Sequence, residues 1–375
     1  MKRPKEQSKF CDIQCLNEPQ SKLEEFLTLN PIFLCVISYT ETSQIPGITM
    51  AGANSDLVKF TSAADSEFLY YGHCKCISNV PATPDGKPTP GIITRTALRL
   101  ANIPFLVVDA GSKIKPSIPY ISFSTRHGDD IRNGIAVRLN DVKKLYDYGH
   151  TLGVQLAKTN DLVVIGESIA GGTTTALAVM MALGIDAKFK ISSSMPNNPH
   201  RLKNSVVSKA MGMSQIHIGD LKDNPFRAIS LFGDPMMPSV AGITSGVVTS
   251  GSKVILAGGT QMCAVVATLA SLDQPLNNIS IGTTRYVAED CFSNLVELGK
   301  SVSNKVPIFS CDLHLGESVK PGLRAFAKGY VKEGVGAGGV SITSMLKSNG
   351  RINGSNLLKA IEEEYEVVVE KTLLE

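Results

Sequence analysis

The sequence has no long uninterrupted apolar run: its longest apolar region, Val163 to Ile185, is broken by Glu167, several glycines and three threonines. It falls short of the roughly 18 apolar residues a membrane span requires, so no membrane partner is expected. Net charge is scarce as well, formally +3 over 375 residues. With no basic stripe interleaved with aromatics, nucleic acid is excluded as a partner. The eight cysteines contain no C-x-x-C pair, which points to reduced thiols rather than a disulfide framework. The nearest approach to a metal site is His73-Cys74-Lys75-Cys76. Ligands two residues apart in an extended stretch face opposite sides, so no metal is expected there. The opening MKRPKEQSKF carries charge with no apolar run behind it, so no signal peptide is expected and the chain reads as cytoplasmic.

What is present is a composition of 43% hydrophobic residues, enough to bury a large core. From residue 31 onward, short apolar runs alternate with helical patterns. Strands are expected at Ile32–Ser38, Phe105–Asp109, Leu162–Ile165, Ala228–Phe232, Val254–Ala257, Ile279–Ile281 and Ile308–Cys311. Several are continuously apolar, as strands buried on both faces of a parallel sheet must be. Helices are expected at 94–102, 140–158, 173–184, 201–213, 238–250, 261–271 and 289–302. The fold class is therefore α/β: a Rossmann-like, mostly parallel sheet flanked by helices over residues 31–345. Residues 1–30 and 346–375, which include a helix near Gly354 to Val369, are expected to form a small helical subdomain. Asn79 to Gly91 carries four prolines and reads as a loop, either a lid or a connection.

Glycines cluster just past the expected strand ends, at Asp109-Ala110-Gly111, Gly233-Asp234-Pro235, Gly258-Gly259-Thr260 and Gly282-Thr283-Thr284. In an open parallel sheet these turns line one crevice outside the carboxyl ends of the strands. The most informative of them runs from Gly166 to Thr175. Glu167 precedes Gly171, Gly172, Thr173 and Thr174 at the start of a helix, an arrangement suited to holding a phosphate. The lysine of a triphosphate-binding loop is missing, since Gly172 stands where it would be, so a monophosphate fits better. A second carboxylate, Glu333, sits in Lys332-Glu333-Gly334-Val335-Gly336-Ala337-Gly338, again just before a helix. By position alone, Glu333 reads rather as a solvated acid complementing the helix dipole.

The patterns G-E-x-x-x-G-x-T-T at Gly166 to Thr174 and K-E-G-V-G-A-G at Lys332 to Gly338 resemble the nicotinate-nucleotide:dimethylbenzimidazole phosphoribosyltransferase family of cobalamin biosynthesis. Gly233-Asp234-Pro235 with Ala241-Gly242, the segment Val254 to Gly259, His314 and Gly322 continue the likeness over roughly residues 150–345. The stretches Pro46 to Thr49, Ala63 to Phe68 and Thr89 to Arg95 resemble a divergent archaeal and cyanobacterial branch. The resemblance implies transfer of 5-phosphoribosyl from nicotinate mononucleotide to a benzimidazole-like or purine base, without a cofactor, by a homodimer. It implies Glu333 as general base and Glu167 as the second catalytic carboxylate. It further implies that Gly166, Gly171, Gly172, Thr173, Thr174, Gly258, Gly259, Gly334 and Gly336 hold phosphate or ribose. The competing readings are a non-catalytic nucleotide binder with the same cleft, and an ATP-dependent ligase or kinase, which the missing lysine opposes. His314, Asp109, Asp312, Arg95 and Lys253 are secondary candidates, each with an ordinary structural alternative.

Overall fold

A computed structural model describes residues 9–370, apart from 53, 79 and 84–86. The expectations that rest on the charged first eight residues and the middle of the proline-rich loop therefore lie outside the described residues. Eight strands form one sheet: β1 (Ile13–Cys15), β2 (Pro31–Ser38), β3 (Phe105–Gly111), β4 (Ile121–Ser122), β5 (Leu162–Ser168), β6 (Lys253–Ala257), β7 (Ile279–Thr284) and β8 (Ile308–Cys311). Their order is β1-β8-β7-β6-β5-β2-β3-β4. All neighbours are parallel except β1, which pairs antiparallel with β8. The chain thus leaves β2 toward β3 and β4, then returns to β2's other side with β5. The β2–β5 boundary is the topological switch point, where the crevice of an open α/β sheet forms.

The helices are α1 (Thr61–Tyr71), α2 (Gly91–Ala101), α3 (Leu139–Leu156), α4 (Gly172–Ala182), α5 (His200–Met213), α6 (Pro225–Phe232) and α7 (Met236–Thr249). They continue with α8 (Thr260–Ser271), α9 (Arg285–Ala288), α10 (Leu295–Val302), α11 (Pro321–Ala327), α12 (Ala337–Lys347) and α13 (Gly354–Tyr365). Strand pleating sends alternate side chains to opposite faces and so divides the core in two. Ile32, Leu34 and Val36 of β2 pack with residues of α3, α4, α6, α7 and α8. Phe33, Cys35 and Ile37 pack with residues of α1, α2, α12 and α13. Helices α4 and α12 are apolar or small all round because each is buried on nearly every side.

Three expectations are corrected. Ala228–Phe232 is not a strand but the end of α6, where Asn224 accepts the N–H of Arg227 and Pro225 occupies the first turn. Proline at that position is pre-set for a helix, and the apolar run is simply the buried face of two short turns. The N-terminal segment, expected to be helical, supplies strand β1, and its helical part is a short 3-10 turn, Gln20–Phe26. The expected helix 289–302 is confined to α10, because Asn294 caps it by accepting the Glu297 N–H.

The tightest helix contact is between α3 and α7. Gly149 and Gly153 on one face Gly242 and Gly246 on the other, so the two backbones meet directly. A Cβ on Gly246 would lie 2.1 Å from the His150 carbonyl oxygen, and one on Gly153 would lie 2.2 Å from that of Ile243. Replacing Gly246 with leucine is expected to cost at least about 3 kcal/mol, at the upper end of overpacking penalties. Gly212→Ala, inside α5 with nothing within 4 Å of the new methyl, is expected to be stabilising by up to ~1 kcal/mol. Urea unfolding midpoints at constant slope test both.

Candidate active site

The site begins with Glu167, which occupies β5 opposite Val36 of β2 and therefore stands at the switch point itself. Strand β5 runs three residues past the expected end, and helix α4 opens at Gly172, four residues after it. The second glycine-rich loop is bound edge-on to the first: the Val335 N–H donates to the Glu167 carbonyl at 2.9 Å. Gly166 and Gly336 make that approach possible. A Cβ on Gly166 would sit 2.7 Å from the Gly336 Cα, and one on Gly336 2.8 Å from the Phe33 ring. The two carboxylates, 166 positions apart in sequence, therefore line one cavity of about 710 Å³.

Glu333 is held on every side. Its oxygens accept from the Thr284 N–H (2.9 Å), the Gly338 N–H (3.1 Å), the Gly334 N–H (3.2 Å) and the Thr283 hydroxyl (3.2 Å). Burial nevertheless pushes its pKa up to about 7, because these bonds only partly replace lost hydration. Glu167 accepts from the Ile169 N–H at 2.9 Å and is also bonded by Gln261. Gly172 leaves room for that glutamine, whose Oε1 would lie 2.0 Å from a Cβ there. Burial, a weaker push from the Asp234 charge and another from Glu333 raise Glu167 to about 8. Asp234 accepts from the Thr175 hydroxyl at 2.6 Å and caps α7 through the Met236 N–H.

Positive potential comes from two sources. The N-termini of α4 and α8 open on the cavity, and a helix start carries a partial positive charge. The second is Lys203 of α5, which the sequence reading passed over. It is 1% exposed, its Nζ donates to the Thr173 hydroxyl, and no carboxylate pairs with it among the described residues. Burial and repulsion from Lys332 lower its pKa to about 7. A buried cation without a counter-ion, tied to a threonine in the cavity wall, is a place for an anion. The signal was present in the sequence: Lys203 lies on the stripe formed with Val206, Val207 and Ala210, the buried face of α5.

Of the residues expected to bind phosphate or ribose, Gly171, Gly172, Thr173, Gly259 and Gly334 line this cavity together with both glutamates. Gly166, Thr174, Gly258 and Gly336 do not; Gly166 and Gly336 pack backbone against backbone, and Thr174 is fully buried in α4. The secondary candidates are engaged elsewhere. Arg95 pairs with Glu364 at 2.8 Å and Lys253 with Glu25 at 3.1 Å. Asp109 accepts the Gly111 and Ser112 N–H groups, and His314 sits among Asp12, Asp312 and Glu317 beside a separate cavity.

These titrations have a sign. Glu167 binds its proton more tightly in the folded protein, so its contribution to stability is complete below pH 4.5 and is lost as pH rises through about 8. Glu167→Gln is therefore expected to match the parent in thermal stability at pH 4 and to exceed it by several degrees at pH 9. Melting curves across that range check the prediction.

A family model described as phosphoribosyltransferase matches residues 94–319. The UPF0284 protein of Methanothermobacter thermautotrophicus is 42% identical over 329 residues, covering 86% of this chain and 90% of its own. That of Archaeoglobus fulgidus is 45% identical over 337 residues, covering 90% and 94%. Among solved structures, a nicotinate-nucleotide-dimethylbenzimidazole phosphoribosyltransferase from Thermus thermophilus superposes with a TM-score of 0.59 at 15% identity, over 96% of this chain and 95% of that one. The chain belongs to the nicotinate-nucleotide:dimethylbenzimidazole phosphoribosyltransferase family, in the divergent branch of the archaeal UPF0284 proteins.

Proposed function

We propose that the protein transfers the 5-phosphoribosyl group of nicotinate mononucleotide to an aromatic base, benzimidazole-like or purine, giving an α-riboside phosphate of the kind used as a cobamide lower ligand. The observation that carries this reading is the meeting of Glu333, Glu167 and the Thr173–Lys203 pair at one cavity. The phosphate would rest on the α4 N-terminus beside Thr173, where its charge satisfies Lys203. Gly171, Gly172, Gly259 and Gly334 would leave room for the ribose.

The reaction breaks the bond from C1′ to the pyridinium nitrogen, and the bonding pair neutralises the ring as nicotinate leaves. The acceptor's ring nitrogen forms the new C1′ bond from the opposite face, which inverts the anomer. The proton on the acceptor's other ring nitrogen passes to Glu333, whose near-neutral pKa suits a base at physiological pH. Glu167, which keeps its proton up to about pH 8, would orient the ribose hydroxyls beside C1′. Because the leaving group carries its own activating charge, no pyrophosphate has to be neutralised. The lysine-free first loop agrees with that requirement.

Mixing the protein with nicotinate mononucleotide and a panel of bases, and following nicotinate release and α-riboside formation by mass spectrometry, tests the reading. Glu333→Gln is expected to lower kcat/KM by about 10²–10⁴, the range general-base catalysis supplies. In the parent, kcat/KM should fall as pH drops through about 7, where Glu333 takes up its proton, and this limb should vanish in the variant. Lys203→Met is expected to raise the mononucleotide's Kd about tenfold or more while leaving thermal stability equal or higher, since an unpaired buried charge is removed. Nucleotide binding without turnover on any base would leave the protein as a binder rather than a transferase.

A further inference from the structure

The cavity holds a third buried carboxylate that the reaction above does not use. Asp65 of α1 is 4% exposed and lines the same space as Glu333 and Glu167. One oxygen accepts from the Thr89 hydroxyl and the other from the Ser168 hydroxyl, each at 2.7 Å. A carboxylate has about four lone-pair sites, so two are left without a described partner. Thr89 precedes Pro90, which lies 3.4 Å from the position of a Cβ on Gly334, directly after Glu333. Asp65 is therefore joined to the loop that carries the proposed base on one side, and through Ser168 to the residue after Glu167 on the other.

The cavity wall near the start of α1 mixes apolar side chains with a few polar ones, among them Thr49, Ser78 and Thr83. Residues Met50, Leu57, Phe60, Ile77, Val80 and Pro88, all from the segments before α2, line the cavity with Asp65. Thr61, one turn before Asp65 on α1, lines it too, and its hydroxyl has no partner among the described residues. Such a wall accepts a flat ring by desolvation and fixes its orientation with few polar groups. A ring bearing only methyl groups would shield Asp65 from water and offer it nothing, leaving its remaining lone pairs unsatisfied.

We propose that Asp65 is the specificity-determining residue for the acceptor, selecting an aromatic base that carries an exocyclic hydrogen-bond donor over one substituted only with alkyl groups. This rests on the transferase reading for the identity of the ligand as acceptor, but not for the binding preference itself. Burial raises the Asp65 pKa to about 6, and the two hydroxyls oppose that rise, so at neutral pH it is available as an acceptor.

The test is equilibrium binding of an amino-substituted benzimidazole and its methyl-substituted analogue to the full-length protein saturated with nicotinate mononucleotide, alongside turnover of each. The parent is expected to favour the amino compound by about tenfold or more in both Kd and kcat/KM, the value of one hydrogen bond to a charged group. Asp65→Asn, which keeps shape and can still bond Thr89 and Ser168, should collapse the ratio toward one by weakening the amino compound alone. Equal affinity of the parent for the two bases, or no binding of either, overturns the proposal. An equal loss for both bases in the variant, with a lowered melting temperature, makes Asp65 a structural tie and overturns it as well. Selective binding without turnover would sustain the Asp65 assignment while defeating the transferase reading.

Discussion

Two backbones without side chains, Gly166 at the end of β5 and Gly336 ahead of α12, lie close enough that a methyl group on either would collide with its surroundings. The remainder of the site depends on this contact. It lets the Val335 N–H reach the Glu167 carbonyl, which locks the second glycine-rich loop onto the central strand. It also seats α12 against the sheet, so that the N–H of Gly338 points at Glu333. A larger residue at either place would part the two loops and separate the carboxylates, with no change in their chemistry.

The molecule tolerates several buried charges around this contact. Glu333, Glu167, Asp65 and Asp234 all have raised pKa values, and Lys203 a lowered one, with burial as the first cause in each. Each group costs stability when it takes its charged form, and the two apolar layers on the sheet faces offset that cost. The result is a group of carboxylates raised toward neutral pH and a buried cation with no carboxylate partner among the described residues. Three of these groups, Glu333, Glu167 and Asp65, line one cavity, and such a concentration marks a candidate functional site.

Much of this was legible from local pattern. The continuous apolar runs of β2 and β5 mark strands covered on both faces, and the helix boundaries of α3, α4, α5 and α7 follow from periodicity within two residues. Both glutamates were visible because each stands beside glycines at the start of a helix. The run 228–232 misled because five residues, four of them apolar, have no period of their own; Asn224 and Pro225, just outside it, settle the matter in favour of a helix. Strand β1 was illegible for another reason. Three residues at a sheet edge form a strand only because β8 offers them a partner.

By itself the sequence determined the α/β layering, the two glycine-rich loops and the absence of a triphosphate lysine, because these depend on residues adjacent in the chain. Only the tertiary structure decided which groups share the cavity. Lys203 is a lysine on a helix until the burial of α5 ties its ammonium to Thr173 in the cavity wall. Asp65 is one acid on a buried helix until Thr89 and Ser168 hold it in the cavity wall. The physical reason is the same in both cases. Charge acquires its chemical character from what removes it from water, and that is set by contacts between residues far apart in sequence.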